Sequence, residues 1–160
     1  MKKTGGFTYV EAMVAVAIVA VFFGALYALN ANCLYLLSAG RQTAAAAQSL
    51  QDRLEQFRRC SWTQLTDASY IKNNILNTST TSGYNIAGST ETVTLNTYPL
   101  ATTTPTTIVR ANGTTTTIST NSNLVNTDLV RIDVALNWTS NVGKRARSQS
   151  ISSLIAKNVP

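Results

Sequence analysis

The sequence predicts an α+β chain: a long N-terminal helix packed on a small antiparallel β-sheet head. Three observations carry this. An apolar run extends from Phe7 to Leu29 with one charge, Glu11, inside it. Helical apolar spacing continues from Asn30 to about Cys60, without proline and with the single glycine Gly40. Near the C-terminus, Leu129 to Trp138 alternates strictly between apolar and polar or small residues, the period of a strand with one buried and one wet face.

The apolar run comes first. About 20 apolar residues cross a bilayer, and Phe7–Leu29 has that length. A charge at the bilayer centre costs about 2.5–3.5 kcal/mol on insertion scales, so a carboxylate one turn into such a run points to a function. Helix-start placement near the macrodipole explains why Glu11 is tolerated. Gly24 interrupts the run and allows close helix packing. Ahead of it stand Lys2 and Lys3, then Gly5-Gly6. A secretory signal peptide carries its cleavage site after the apolar region. Here the glycine pair precedes it, so a cut at Gly6–Phe7 leaves the helix on the mature protein. The leading lysines predict a cytoplasmic N-terminus and export of the rest.

The helix continues past the membrane span. Ala44-Ala45-Ala46-Ala47 is a strong helix former. Leu50, Leu54 and Phe57 follow i, i+4, i+7 spacing, which leaves Asp52, Arg53, Glu55 and Arg58 mostly on other faces. Cys33 and Cys60 lie 27 residues apart on this helix; at 1.5 Å per residue that is about 40 Å, too far for a disulfide.

From Asn77 to Thr127 threonine dominates, with runs at Thr102–Thr104 and Thr114–Thr117. Threonine is β-branched and favours strands. Glu91–Tyr98 alternates with Val93 and Leu95 on one face, and Ile108-Val109 and Ile118 flank Asn112-Gly113, a hairpin turn dipeptide. In the clearest strand, Val130, Ile132, Val134, Leu136 and Trp138 share the core face. Ser140-Asn141-Val142-Gly143 turns the chain, and Arg147–Ala156 returns with Ile151 and Ile155 toward the core.

Composition narrows the function. The 160 residues contain 13 Lys and Arg, 7 Asp and Glu, and no histidine. That removes Ser-His-Asp and Cys-His catalysis and every histidine metal site. Asp52, Glu55, Asp67, Glu91, Asp128 and Asp133 form no metal or paired-carboxylate pattern. The expectation is no enzyme, no cofactor and no metal. The net charge of +6 is scattered apart from Arg58-Arg59 and Lys144-Arg145-Ala146-Arg147, too thin for a nucleic-acid surface. The basic group reads as solvated charge beside a turn.

The segment Met1-Lys2-Lys3-Thr4-Gly5-Gly6, followed by Phe7-Thr8-Tyr9-Val10-Glu11 and the apolar run, resembles the N-terminus of type IV prepilins and type II secretion pseudopilins. The resemblance covers about the first 30 residues. It implies cleavage after Gly6 by prepilin peptidase and N-methylation of Phe7. It also implies insertion in the bacterial inner membrane, then polymerisation with other pilin subunits by an assembly platform and its ATPase. Glu11 would meet the Phe7 amine of a neighbouring subunit. Many pilins carry a proline in the apolar region; none stands between Phe7 and Leu37, which sets helix melting at Gly24 in question. The C-terminal hairpin, with Trp138 ahead of a glycine turn and a basic restart, is similar to V-type minor pilins and I-type pseudopilins.

The expected organisation is then a cleaved leader at 1–6, a transmembrane and filament-core helix at 7–29, its amphipathic continuation at 30–60, and a Thr-rich β head at 61–160 with a hairpin at 129–156. A minor pilus or pseudopilus subunit is the predicted function, located at the cell surface or in the periplasm after assembly. The alternative is an exported, membrane-anchored binding protein that does not polymerise.

Overall fold

The computed structural model of the chain describes residues 8–78, 86, 88–99, 104–140 and 143–157. The chain divides into two units, Met1–Ala39 and Gly40–Pro160. One helix, α1 (Tyr9–Arg58), supplies the described structure of the first unit and opens the second. The absence of proline and the helix-forming alanine run make this continuity possible.

In the second unit α1 is followed by α2 (Trp62–Thr66), a short helical turn Ala68–Tyr70 and a π-helical turn Ile71–Ile75. The sequence pattern did not predict these turns. Their signals are local. Ser61 and Gln64 form a capping box at the start of α2, and Asp67 caps the next turn by accepting from Ser69 N at 2.8 Å. Five strands complete the unit: β1 (Thr90–Thr97), β2 (Thr106–Ala111), β3 (Thr114–Ser119), β4 (Leu129–Thr139) and β5 (Ala146–Ala156). A 3-10 turn, Ser122–Asn126, precedes β4. The sheet is antiparallel, with order β3-β2-β1-β4-β5.

The strands arise where the alternation predicts them. Asn112 and Gly113, at φ 50° and 80°, turn β2 into β3 in the conformation that Asn-Gly adopts readily. The β4 and β5 strands pair over their full lengths, from Leu129 opposite Ala156 to Thr139 opposite Ala146. Of the predicted turn between them, Asn141 and Val142 lie outside the described residues.

The core sits on one face of the sheet. Ala46, Leu50, Leu54 and Phe57 of α1 are buried together with Val93 and Leu95 of β1, Ile108 of β2, and the alternating series Val130 to Trp138 of β4. Leu65, Ile71, Ile75 and Leu76 belong to the same core, so the helical turns after α1 close it.

Arg53 corrects the sequence reading. It does not lie off the core face; it is fully buried. All five of its N–H groups are used. Nε donates to Glu91 Oε1 at 2.5 Å and Nη2 to Glu91 Oε2 at 2.9 Å. Nη2 also reaches Thr78 O at 2.9 Å, and Nη1 donates to Gln56 Oε1 at 2.7 Å and to Ile75 O. A buried guanidinium is tolerable only when paired and fully bonded. This one joins α1, β1 and the end of the π-helical turn.

Candidate functional site

The sequence points to Gly6, Phe7 and Glu11. Gly6 and Phe7 lie outside the described residues. Glu11 stands in the first turn of α1, and its surroundings show how that helix begins. Thr8 is the residue before Tyr9, and its carbonyl accepts the first helical bond from Ala12 N at 3.1 Å. Its hydroxyl accepts from Glu11 N at 3.3 Å. The Glu11 carboxylate reaches back: Oε2 accepts from Thr8 N and from Thr8 Oγ1, each at 3.1 Å. This is a capping box, two orphan donors satisfied by one another's residues. The Thr8-x-x-Glu11 spacing announces it in the sequence, but the sequence reading gave Glu11 the helix dipole and the Phe7 pairing and not this box.

Beyond Glu11 the helix has no charge until Arg41. Its side chains from Tyr9 to Leu37 are largely uncovered: Tyr9 is 80 % exposed, Phe23 63 % and Leu36 67 %. The helix is long and apolar enough to cross a membrane. Aliphatic and aromatic surface of this extent calls for lipid or a partner. The first buried α1 residue is Ala39, at the limit of the first unit. A side chain at Gly24 would meet nothing within 4 Å, so nothing within the chain requires glycine there.

Residues 1–27 match the family model of the prokaryotic N-terminal methylation motif. The N-terminus of the chain is type IV prepilin-like. Neither a curated protein nor a solved structure matches the chain. The motif supports a substrate of the prepilin peptidase class and implies pilin assembly in general. It suggests a structural protein, and with the apolar helix it fits membrane anchoring before assembly.

The two cysteines are free, Cys33 exposed and Cys60 partly buried. Cys60 Sγ donates to Gln56 O at 3.3 Å, and burial raises its thiol pKa above the ordinary value of 9.0. Among the described residues no cluster of His, Cys, Asp and Glu could hold a metal ion.

Proposed function

We propose that this chain is a structural subunit, of minor type, in a type IV pilus or pseudopilus. Prepilin peptidase cuts after Gly6, the new amine of Phe7 is methylated, and the uncovered face of α1 moves from lipid into a filament core of like helices. The observation that carries this reading is the pairing of the methylation motif with an uncovered apolar helix whose only early charge is Glu11.

Glu11 has a local and an intermolecular role. Locally, its Oε2 closes the box with Thr8. A cut after Gly6 leaves that box whole, because both members lie downstream of it. The carboxylate retains capacity for the Phe7 amine of a neighbouring subunit. In a low-dielectric core a carboxylate needs such a cation. The pair sets register more than it adds net stability, since desolvation offsets much of the attraction. Lys2 and Lys3 hold the N-terminus in the cytoplasm, and the assembly platform with its ATPase draws subunits out of the inner membrane.

Intact-mass analysis of the membrane fraction tests the reading. The expected species begins at Phe7 and carries one methyl group. Retention of Met1, or a cut beyond Leu29, would overturn it. Gly6→Leu should leave the full precursor in the membrane, because its side chain would occupy the position next to the scissile bond.

A further inference from the structure

The second unit has a basic end. Helix α1 enters the unit at Gly40, and its direction along the sheet follows from its partners. Arg53 bonds to Glu91, near the start of β1. The next helix, α2, packs on the 3-10 turn ahead of β4. Glu91 stands opposite Leu136, toward the end of β4, so α1 runs from the end of β4 toward its beginning. Residues before Arg53 therefore lie toward the turn between β4 and β5. Arg41 precedes Arg53 by twelve residues, about 18 Å along a helix. On the sheet, Gln149 of β5 is level with Glu91 through Leu136. Lys144 and Arg145 precede Gln149 by four to five residues, about 13–16 Å along a strand. Arg41, Lys144 and Arg145 thus reach nearly the same level at one end of the unit, and all three are exposed.

No acid of the chain answers these three cations. All seven acidic residues are described, and the ion pairs they make are with Arg53, Arg58 and Arg131. The acid nearest this end of the sheet, Glu91, is buried and already bound to Arg53. Asp52, the first acid after Arg41, follows it by eleven residues, about 16 Å along the helix. Asp128 stands at the far end of the sheet, where its carbonyl accepts from Lys157 N at 2.8 Å. Arg110, opposite Glu91, and Arg147, opposite Trp138, are half-buried toward the basic end and add to its field. Uncompensated positive charge of this kind attracts a polyanion.

The place of the basic end along the chain decides which polyanion. Arg41 is the first charge after Glu11 and follows Leu37 by four residues, about 6 Å. Leu34, Leu36 and Leu37 are all largely exposed, so the uncovered apolar surface of α1 continues to within about two turns of Arg41. The span that suits a bilayer is thus tied covalently to the end that carries the cations. Basic residues next to a span are attracted to anionic headgroups. Three cations would hold a free protein weakly, but a tethered one meets the surface at high effective concentration. A nucleic acid would want a denser basic face. We propose that this basic end docks on anionic phospholipid headgroups while the chain is anchored, with Arg41, Lys144 and Arg145 against the phosphates. The docking rests on the anchoring in the function proposed above, and not on cleavage or polymerisation.

The test places the full chain in phosphatidylcholine nanodiscs, with phosphatidylglycerol added to one set, and follows acetylation of each lysine by peptide mass spectrometry. Lys144 reports the docking end. Lys157, beyond the other end of β5, is the control in the same molecule. Phosphatidylglycerol should slow acetylation of Lys144 about fivefold, the weight of one cation at an anionic surface, and leave Lys157 unchanged. Salt at about 1 M should restore the faster rate, because it screens charges beyond about 3 Å. The double variant Arg41→Gln, Arg145→Gln should lose most of the protection, with thermal melting confirming that its head is folded. Equal rates at Lys144 in the two lipids, equal slowing of Lys157, or full protection of the folded double variant would overturn the proposal. Matching protection by oligothymidylate in pure phosphatidylcholine would assign the end to nucleic acid instead. Protection that follows the number of chains per disc and ignores phosphatidylglycerol would assign it to a second copy. A chain that does not enter the discs would refute the anchoring and this docking together. A chain uncut at Gly6 serves the test equally, so failure of processing and failure of docking are told apart.

Discussion

Along α1 one helix carries two kinds of surface. From Tyr9 to Leu37 its apolar side chains are uncovered, and the one charge there, Glu11, sits in the Thr8–Glu11 box at the start. From Ala39 onward a stripe of Ala39, Gln42, Ala46, Ser49, Leu50, Arg53, Leu54 and Phe57 is buried, and its most demanding polar group is satisfied inside the same unit. From Ala12 to Leu29 the first region is apolar all round, which suits a solvent other than water. The second is amphipathic and is completed by its own sheet. The charge in the first region, Glu11, accepts from Thr8, whereas the buried charge in the second, Arg53, is neutralised by Glu91.

The largest test of this contrast is Arg53→Ala. It removes one partner of a buried ion pair, which typically costs about 3–5 kcal/mol. Denaturant unfolding of the second unit within the full chain should show that loss, while processing at the N-terminus stays normal. The double variant Arg53→Met, Glu91→Leu should regain most of the stability, because no charge is then left unpaired. If Arg53→Ala alone were neutral, the network would not be what holds α1 to β1.

Glu11→Ala probes the other region. Membrane anchoring should be unchanged or better, since a costly charge is removed. Incorporation into sheared filaments, compared with the membrane fraction, should fall about tenfold or more, because a neighbouring amine is then buried without its anion. Normal incorporation would refute the proposed pairing and leave Glu11 with its capping role alone.

Thr8→Ala separates those two roles. It keeps the carboxylate but removes the hydroxyl that accepts from Glu11 N. Loss of such a cap costs about 1 kcal/mol, so amide hydrogen exchange should quicken within the first turn of α1 and nowhere else. Protection unchanged at Glu11 and Ala12 would show that the box does not hold in the membrane.

The smallest effect concerns Cys60. Burial raises its folded-state pKa above the ordinary 9.0. The protonated thiol is therefore the form the fold favours. Its contribution to stability is complete below the unfolded pKa and is lost as the pH rises through the folded one. Alkylation of Cys60 in the folded chain should have its pH midpoint above that of the denatured chain. Equal midpoints would place the thiol in water.

The sheet was legible before the structure because strand alternation is a local signal with a fixed period. Leu129–Trp138 and Glu91–Tyr98 could form half-buried strands, and Asn112-Gly113 could turn tightly. The N-terminal motif was legible in the same way: a glycine pair, a phenylalanine and a glutamate at set spacing, ahead of a membrane-length run. The helical stretch from Trp62 to Ile75 was harder to read. Its elements are shorter than a period-based signal requires, and its Ser61–Gln64 box is polar punctuation that carries no apolar pattern.

By itself, then, the sequence determined where helix and strand run in the strongly periodic segments, and which end of the chain is long and apolar enough to cross a membrane. Those properties follow from spacing and side-chain solubility between near neighbours. The tertiary structure decided what required distant partners. Arg53 looks like a surface residue on a helical wheel, and only the approach of Glu91, 38 positions later, makes its burial affordable. Sheet order placed β1 at the centre, between β2 and β4, and the pairing of Arg53 with Glu91 set Arg41 toward the same end as Lys144 and Arg145. No local pattern encodes a basic end built from residues far apart in the chain, because that end exists only once helix and sheet are packed.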